Sequence, residues 1–292
     1  MRVRPNTWDA RIADSVIKHN EYGLPEDMND WVVVDIGAHI GSFAVACIER
    51  GVKSIHCYEP DNENFQLLTE NVPPSPAEMH DRAVTLNRYA VTGITETGLT
   101  LRHHTEHDFG LGSNTGHIDI FGKVASDDSI TSTSIQTVLD AVDGEIDLLK
   151  LDCEGAEWSI FEHGDFKKVK SIVAETHLVS DSDREEFQGK SLRDLMDTAC
   201  DKLRKAGFKV EATITSPVTG MLRAIRVPAI STQPRKKRIL WIGDAGVPTG
   251  FARVTEQICT RLHQYGWDIR VLGVGYSGDP HNYPYRVYSD GD

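Results

Sequence analysis

The chain has 292 residues, of which 39% are hydrophobic and 26% are charged, and its formal net charge is −13 at pH 7. This composition is typical of a globular protein that is large enough to bury a core. Binding of nucleic acid depends mainly on Lys and Arg side chains that neutralise phosphates. The acidic balance of this chain therefore argues against a nucleic-acid partner.

The five cysteines lie far apart and form no CxxC pair, which predicts reduced thiols and argues against disulfides or a zinc site. No stretch reaches about 18 apolar residues, and the first residues lack the apolar segment of a signal peptide. We therefore expect a cytoplasmic, soluble protein without a membrane span.

Short runs rich in Val and Ile alternate with longer mixed segments, which is typical of strands alternating with helices in a mostly parallel sheet. The pattern predicts strands at 31–36, 54–60, 145–155 and 171–177, and then a closing pair at 208–214 and 220–227. It predicts helices at 42–50, at 61–72 with Asp61 as N-cap, through Trp158 and Phe161, and at 191–206.

Residues 98–129 are rich in Gly, Ser, His and Asp, and we interpret them as a hairpin followed by a loop. The histidines His103, His104, His107 and His117 raise the question of a metal site. His103 and His104 are neighbours on a predicted strand and face opposite ways, and no zinc-like ligand spacing surrounds them. Because long loops in compact domains often serve as lids, a polar lid is the better interpretation.

The composition changes at 228–238, "PAISTQPRKKR", to proline, small polar and basic residues, which is typical of a solvated linker. Residues 239–292 then repeat the order of apolar strand, glycine turn, helix and second strand. One such unit buries too little surface to be stable by itself. We therefore predict one domain at 1–227, a linker at 228–238 and part of a second domain at 239–292.

The first predicted strand runs into the turn "DIGAHIG", with Asp35, Gly37 and Gly41. The three-glycine dinucleotide pattern is absent, which disfavours a dehydrogenase. Glu59 ends the second strand, where an acid can accept hydrogen bonds from the ribose of an adenosine. The alternative is a glycine turn that only packs helix against strand, with a solvated Glu59 beside it.

Three blocks, "VVVDIGAHIGSFAVACIERG", "HCYEPDNENFQLLTENV" and "IDLLKLDCEGAEWSIFEHG", resemble the FkbM family of S-adenosylmethionine-dependent methyltransferases. The resemblance implies an α/β class I methyltransferase fold, Rossmann-like, with a seven-stranded, mostly parallel sheet that ends in an antiparallel hairpin. It also implies methyl transfer to hydroxyl groups of sugars, polyketides and related metabolites. The residues that it places at the methionine end of the cofactor are Asp35, Gly37, Ala38, His39 and Gly41.

By the same resemblance, Glu59 would hold the ribose, and Ala90 and Val91 would border the adenine. A segment such as "HNEYGLP" at 19–25 closes over the cofactor in this family, which makes Tyr22 a candidate ligand contact. A Tyr22 that only packs on the surface is the alternative.

The catalytic candidates lie at the ends of two predicted strands. In "KLDCEGAE", Lys150 and Asp152 point to one side, and Glu154 follows at the carboxyl end of the strand. Glu175 and His177 end the next strand and should reach the same crevice. Removing a proton from a hydroxyl acceptor requires a base, and the ordinary pKa of His, about 6.5, suits His177 to that work.

The same side chains have a second use. Asp152, Glu175 and His177 can ligate a divalent cation that binds the acceptor oxygen and lowers its pKa, and other methyltransferases of this fold place metal-binding acids at these two strand ends. In the third interpretation Asp152 and Glu175 cap neighbouring helices, and His177 is a satisfied histidine at the edge of the core.

The leading hypothesis is an S-adenosylmethionine-dependent O-methyltransferase that acts on a small-molecule or glycan hydroxyl. The segment "GDAGVPTGFARVTEQ" resembles the first turn of GT-B glycosyltransferases, which suggests that the chain is fused to, or acts with, a glycosyltransferase. One rival is a dinucleotide-dependent oxidoreductase. The other is a module that keeps the cofactor crevice but has no turnover.

Overall fold

The structure, a computed structural model, describes residues 1–72, 83–96, 100–103, 116–119, 130–178, 189–227, 238–278 and 281–289, with only the backbone of 100–103 and 116–119. The chain divides into two compact units, residues 1–228 and residues 229–292. In the described part, no helix combines the length and the apolar character that a membrane span needs.

The first unit contains eleven described strands and six α-helices. The strands are β1 (Val32–Ile36), β2 (Ser54–Tyr58), β3 (Ala83–Asn87), β4 (Ala90–Thr92), β5 (Thr100–His103), β6 (Gly116–Asp119), β7 (Ser132–Ser134), β8 (Leu148–Leu151), β9 (Ser171–His177), β10 (Phe208–Ile214) and β11 (Thr219–Arg226). The helices are α1 (Asp9–Ala13), continued by a π-helical turn (Asp14–Lys18), α2 (Ser42–Glu49), α3 (Asn62–Asn71), α4 (Ile135–Asp140), α5 (Glu157–His163) and α6 (Leu192–Lys205).

Seven of these strands form one sheet in the order β10-β11-β9-β8-β1-β2-β3. All neighbours are parallel except β11, which runs antiparallel to both β9 and β10. This is the strand order of the class I methyltransferase fold, so the expected fold class is confirmed, including the closing hairpin. The order reverses beside β1, and open α/β sheets bind ligands at the carboxyl ends of the strands at such a point.

Side chains alternate along the central strands and build a core on each face of the sheet. Val33 of β1 belongs to the core beneath α2 and α3, whereas Val34 and Ile36 belong to the core beneath α4, α5 and α6. The predicted amphipathic helix is α6, which buries Leu195, Met196 and Leu203 among its apolar residues. The sheet is therefore covered on both faces, as a mostly parallel sheet requires.

Local signals fix where several helices begin. The Asp61 side chain accepts a hydrogen bond from the Asn64 backbone N–H, as predicted for the N-cap of α3. Ser191 and Asp194 form a reciprocal capping box at the start of α6. Each cap satisfies backbone N–H groups that a helix start leaves unpaired.

The predicted hairpin within 98–129 is present, because β5 and β6 pair antiparallel. The loop predicted to follow the hairpin lies outside the described residues, as do the side chains of His103, His104, His107 and His117. The predicted lid therefore stays a prediction.

The second unit contains β12 (Arg238–Asp244), α7 (Gly250–Gln264), β13 (Asp268–Val274) and β14 (Arg286–Ser289). Its three strands form a parallel sheet in the order β12-β13-β14. A small core beneath α7 includes Cys259, Ile269 and Val271. On β12, Leu240 and Ile242 are exposed. The predicted linker falls almost entirely outside the described residues, and the boundaries predicted for the domains stay a prediction.

Candidate functional site

A cavity of about 360 Å³ opens at the carboxyl ends of β1, β2, β8 and β9. Its walls come from the turn after β1, from residues 58–61 after β2, from the ends of β8 and β9, and from the N-terminal segment between Trp8 and Tyr22. One cavity therefore joins several of the residues predicted to hold a cofactor, though not Asp35, Gly41 or Ala90, to the side chains predicted to carry the chemistry.

The turn after β1 is made by glycine for two different reasons. Gly37 has φ of +79°, and a Cβ on it would lie 1.7 Å from the backbone oxygen of Asp152. Gly41 has φ of +93°, and its Cβ would meet Val72 and Leu68 at 2.8 and 2.9 Å. Gly37 thus permits the close approach of the loop after β8, whereas Gly41 packs α2 against α3 and does not line the cavity.

A buried ion pair lies beneath this turn. Lys150 Nζ is 3.1 Å from Asp35 Oδ1 and 3.6 Å from Asp152 Oδ2, and it donates a 2.6 Å hydrogen bond to the Gly37 carbonyl. Burial lowers the pKa of Lys150, but Asp35 and Asp152 outweigh it and keep the amine protonated. Asp35 is fully buried and is not part of the cavity lining. These contacts tie Lys150 to the turn, and its catalytic role stays a prediction.

Glu59 lies at the end of β2 and is almost completely buried. Its Oε2 accepts a hydrogen bond from the His39 backbone N–H at 2.8 Å, and its Oε1 accepts one from the Asp61 backbone N–H at 2.9 Å. Burial raises the pKa of Glu59 to about 7 despite these hydrogen bonds. The Asn64 side-chain amide also donates to Oε1, at 3.4 Å. Because a carboxylate has about four acceptor positions, one position remains for a ligand hydroxyl.

His39 adopts a positive φ of +49° in the turn and lines the cavity. Its Nε2 is 3.3 Å from Arg4 Nη2, and Arg4 also forms a bidentate pair with Asp9. His39 Nε2 also lies 3.6 Å from Asp9 Oδ1, and the two hydrogens of Arg4 Nη2 point to Asp9 Oδ1 and Asn64 Oδ1. Burial lowers the pKa of His39 to about 4, and Nδ1 has no hydrogen-bond partner within the described residues.

Only one of the two residues predicted to border the adenine lines the cavity. Both Ala90 and Val91 lie on β4, which pairs with β7, and both are buried. Val91 lines the cavity but Ala90 does not, whereas the neighbouring Tyr89, which the sequence did not single out, does. Alternation along a strand accounts for this, since successive side chains point to opposite faces.

The ends of β8 and β9 bring together a cluster of acids around one histidine. Ligand atoms of Asp152, Glu175 and His177 all lie within 4.8 Å of one another, and Glu154 Oε2 is 3.6 Å from His177 Nε2. Burial raises the pKa of Glu154 to about 7, and Asp152 adds to the effect. Burial and the Asp152 charge likewise raise the pKa of Glu175 to about 7.

The carboxylates around His177 change its pKa, which bears on whether it can act as a base. Burial lowers the pKa of His177, but the carboxylates of Glu154, Glu157 and Asp152 outweigh it and hold the pKa well above its usual value. A pKa near working pH therefore does not support His177 as the base, and its catalytic role stays a prediction. The two acids whose pKa values lie near 7 suit proton removal better.

The alternative that Asp152 and Glu175 merely cap helices is contradicted. The N-cap of α5 is Ala156 and the N-cap of α6 is Ser191. Asp152 instead accepts a 2.9 Å hydrogen bond from the Tyr22 hydroxyl. Two carboxylates and an imidazole form a donor set that suits Mg²⁺ or Mn²⁺, and a cation would offset the mutual repulsion of the acids.

Glu157 belongs to this site, although sequence reasoning did not single it out. Its side chain is fully buried and accepts hydrogen bonds from the Cys153 and Gly155 backbone N–H groups, each at 2.8 Å. Its Oε1 is also 3.2 Å from His177 Nδ1. The sequence does hold one signal for Glu157, because it is an acid on the buried face of a predicted helix, and acids are seldom buried unless they are paired.

The N-terminal segment closes one side of the cavity. Tyr22 is buried there and packs edge-on against Phe43 at 5.2 Å between ring centroids, so the alternative of a Tyr22 on the surface is contradicted. Arg223 of β11 donates hydrogen bonds to the carbonyls of Tyr22 and Glu21, each at 2.8 Å. Sequence reasoning did not predict this anchor, since some 200 residues separate the partners.

Comparison with known proteins identifies the family of the chain. The family model described as the methyltransferase FkbM domain matches residues 35–210, which is more than half of the chain. A search of curated proteins finds no match.

Solved structures similar to the chain include the methyltransferase FkbM from Methylobacillus flagellatus KT, with 17% identity, 72% of this chain and 47% of that chain covered, and a TM-score of 0.41. The precorrin-6y C5,15-methyltransferase from Geobacter metallireducens GS-15 has 13% identity, 78% and 94% coverage and a TM-score of 0.38. The ribosomal protein L11 methylase from Lactobacillus delbrueckii subsp. bulgaricus has 13% identity, 75% and 79% coverage and a TM-score of 0.36.

The match spans about half the length of the Methylobacillus protein. The family model, which begins at Asp35 of the turn and runs through the strands that carry Glu59, Asp152 and His177, is the finding that assigns the family. The chain belongs to the FkbM methyltransferase domain family.

Proposed function

We propose that this chain is an S-adenosylmethionine-dependent methyltransferase that transfers a methyl group to a hydroxyl of a sugar, a glycan or a related metabolite. The observation that carries the proposal is the single cavity that has Glu59 at one end and the acids around His177 at the other. A methyl donor and an acceptor must meet in one water-excluding space, and this cavity offers each a distinct set of side chains.

The cofactor end has groups that fit S-adenosylmethionine. When it is bound, this cofactor supplies a methyl group activated by the sulfonium charge. Glu59 would accept a hydrogen bond from a ribose hydroxyl with the acceptor position that its two backbone partners and Asn64 leave. The buried Nδ1 of His39, which has no hydrogen-bond partner within the described residues, would bond a polar group of the cofactor, and Val91 would contact the adenine.

The acceptor end has groups that bind a hydroxyl and take its proton. Glu154 or Glu175 would remove the proton, since the pKa of each lies at about 7. His177, kept protonated by the surrounding carboxylates, would donate a hydrogen bond to the acceptor oxygen. Asp152, fixed by Tyr22 and Lys150, would orient that oxygen.

A second candidate mechanism uses a divalent cation at the same place. Asp152, Glu175 and His177 would ligate it, and the cation would lower the pKa of the acceptor hydroxyl. Removing metal with EDTA and restoring Mg²⁺ or Mn²⁺ separates the two mechanisms. A rate that EDTA abolishes and the cation restores supports the metal, whereas an unchanged rate rules it out.

The sugar acceptor draws support from the second unit. Its parallel strands, with the turn at Gly246 before α7, have the layout that motivated the resemblance to GT-B glycosyltransferases. We propose that the chain works with, or is fused to, a glycosyltransferase, so that glycosylation and methylation act on the same glycan.

The direct test is transfer of a labelled methyl group from S-adenosylmethionine to a panel of monosaccharides, glycosides and polyols by the full chain. We expect labelled product with at least one hydroxylated acceptor. Asp152→Asn should lose at least about 90% of the rate, because the hydrogen bonds of a neutral amide are about half as strong as those of a carboxylate. Cofactor binding without transfer to any acceptor would favour a module without turnover. Transfer to an amine or carbon acceptor alone would contradict O-methylation.

A further inference from the structure

The buried acid Glu157 connects the two halves of the acceptor site. It stands at the first position of α5 and is fully buried. Oε1 accepts the Cys153 N–H and Oε2 accepts the Gly155 N–H. A carboxylate removed from water to this extent is costly unless it is hydrogen-bonded, and here each oxygen has a backbone donor.

These backbone donors belong to the loop that carries the acids of the site. Glu154 has φ of +53° and Gly155 has φ of +107°, so two successive residues adopt left-handed conformations. The Cys153 and Gly155 N–H groups, on either side of Glu154, both donate to the Glu157 carboxylate. The carboxylate therefore holds the loop that carries Asp152 and Glu154 beside the cavity.

The same carboxylate reaches the end of β9. Its Oε1 is 3.2 Å from His177 Nδ1, and the Trp158 indole N–H donates to the His177 carbonyl at 2.8 Å. The other ring nitrogen, Nε2, lies 3.6 Å from Glu154 Oε2 and 4.0 Å from Asp152 Oδ1. The ring is thus held on one side and presents its other nitrogen to the cavity.

We propose that Glu157 is a positioning residue that fixes the His177 ring through Nδ1–H, so that Nε2 is the atom presented to the acceptor. The assignment of Nε2 to the acceptor rests on the proposed function, whereas the orientation of the ring does not. Nδ1 carries a proton toward Glu157 both in the neutral ring with Nδ1–H and in the imidazolium, so the proposal holds for either charge state.

The test is proton and nitrogen NMR of the full chain labelled with ¹⁵N-histidine, in the presence of EDTA. We expect an imidazole N–H resonance downfield of the backbone amides, bonded to Nδ1 of His177 and absent from His177→Gln. In Glu157→Gln this resonance should move upfield or vanish, because a bond to a neutral amide is about half as strong as a bond to a carboxylate. Glu162→Gln is the matched control, since Glu162 lies on the same helix and is largely exposed, and it should leave the resonance unchanged.

The affinity for S-adenosylhomocysteine, measured on the same samples, separates this proposal from the proposed function. We expect Glu157→Gln to bind it as the wild type does, since Glu157 does not line the cavity. Loss or upfield movement of the resonance with unchanged affinity supports a positioning role. A resonance that persists unshifted in Glu157→Gln overturns it.

If Glu157→Gln fails to fold, the spectrum of the wild type alone still tests the proposal. A ring proton bonded to Nδ1 and protected from exchange supports the proposal, and a ring protonated at Nε2 alone overturns it. Failure of the wild type to bind S-adenosylhomocysteine would count against the proposed function and would leave the orientation of the ring to be judged by its resonance.

Discussion

Three acids in this cavity, Glu59, Glu154 and Glu175, share a pKa of about 7 in the folded chain. Each is largely buried, and burial is the main cause of the raised pKa in every case. A group with a pKa that is raised in the folded state holds its proton there at a pH at which the unfolded chain has released it. The stabilisation that these bound protons provide is fully present below about pH 4.5, and it is lost as the pH rises through about 7.

We predict that Glu175→Gln stabilises the chain at pH 7.5 by about 1 to 3 kcal/mol, since one pKa unit corresponds to about 1.4 kcal/mol. The gain should shrink as pH falls toward 4.5, where wild-type Glu175 carries its proton in both states. Urea unfolding with EDTA between pH 4.5 and 8 measures it. The exposed Glu26→Gln serves as control, and an equal gain for Glu175→Gln at every pH would contradict the raised pKa.

Lys150 is a buried cation that pairs with the carboxylates of Asp35 and Asp152. Removing one partner of a buried pair leaves the other charge uncompensated, at a cost of about 3 to 5 kcal/mol. We therefore predict a loss of that size for Lys150→Met, and partial recovery when Asp35→Asn is added, because Asp35 is the partner at 3.1 Å. Urea unfolding of both variants is the measurement.

The control for this pair is Lys167→Met, whose amine bonds Asp165 on the surface at 2.8 Å. Exposed pairs contribute little, so this variant should keep the wild-type urea midpoint. A Lys150→Met chain as stable as Lys167→Met would show that the amine does not hold the turn.

At the scale of elements, the N-terminal segment is a wall of the site that β11 holds in place. Two hydrogen bonds from Arg223 fix the carbonyls of Glu21 and Tyr22, and Tyr22 in turn fixes Asp152. We predict that Arg223→Met weakens binding of S-adenosylhomocysteine about tenfold, equal to about 1.4 kcal/mol, and speeds proteolysis between residues 15 and 25.

Arg204→Met removes a comparable side chain from α6, where Arg204 is exposed and pairs with Asp201. It should change neither the affinity nor the proteolysis pattern. If Arg223→Met also leaves both unchanged, the segment does not depend on β11 for its position.

Elements were more predictable than the contacts between them. The Val-rich run before Asp35 and the cap at Asp61 are local signals, and β1 and α3 form where those signals lie. The convergence of Asp152 and His177 also followed from the sequence, because carboxyl ends of neighbouring parallel strands meet at one edge.

Other features depend on partners that are far apart in the chain. Arg4 bonds Asn64 and contacts His39, and nothing in its local sequence indicates either partner. Gly41 is a similar case: a glycine in a turn signals a close approach, but only the packing of α3 shows what approaches. Titration was the hardest property to predict, since the pKa of His177 depends on three carboxylates from the β8–α5 connection and α5.

For the whole molecule, the first unit contains both large cores and every residue that lines the cavity, whereas the second unit has a small core of its own. We predict that residues 1–227 alone fold cooperatively and bind S-adenosylhomocysteine with the affinity of the full chain. Circular dichroism, urea unfolding and calorimetry of the shortened chain check this. Aggregation or loss of binding in that chain would contradict the predicted boundary.

We propose that the cavity beside the "DIGAHIG" turn binds the methyl-donor cofactor, with Glu59 on its ribose. Calorimetric titration of the full chain with S-adenosylhomocysteine, beside NAD and a nucleotide sugar, tests this proposal. We expect micromolar binding of S-adenosylhomocysteine alone, weakened at least about tenfold in Glu59→Gln and unchanged in Glu49→Gln, an exposed acid on α2. Binding of NAD or the nucleotide sugar instead, or equal affinity in Glu59→Gln, would contradict the account.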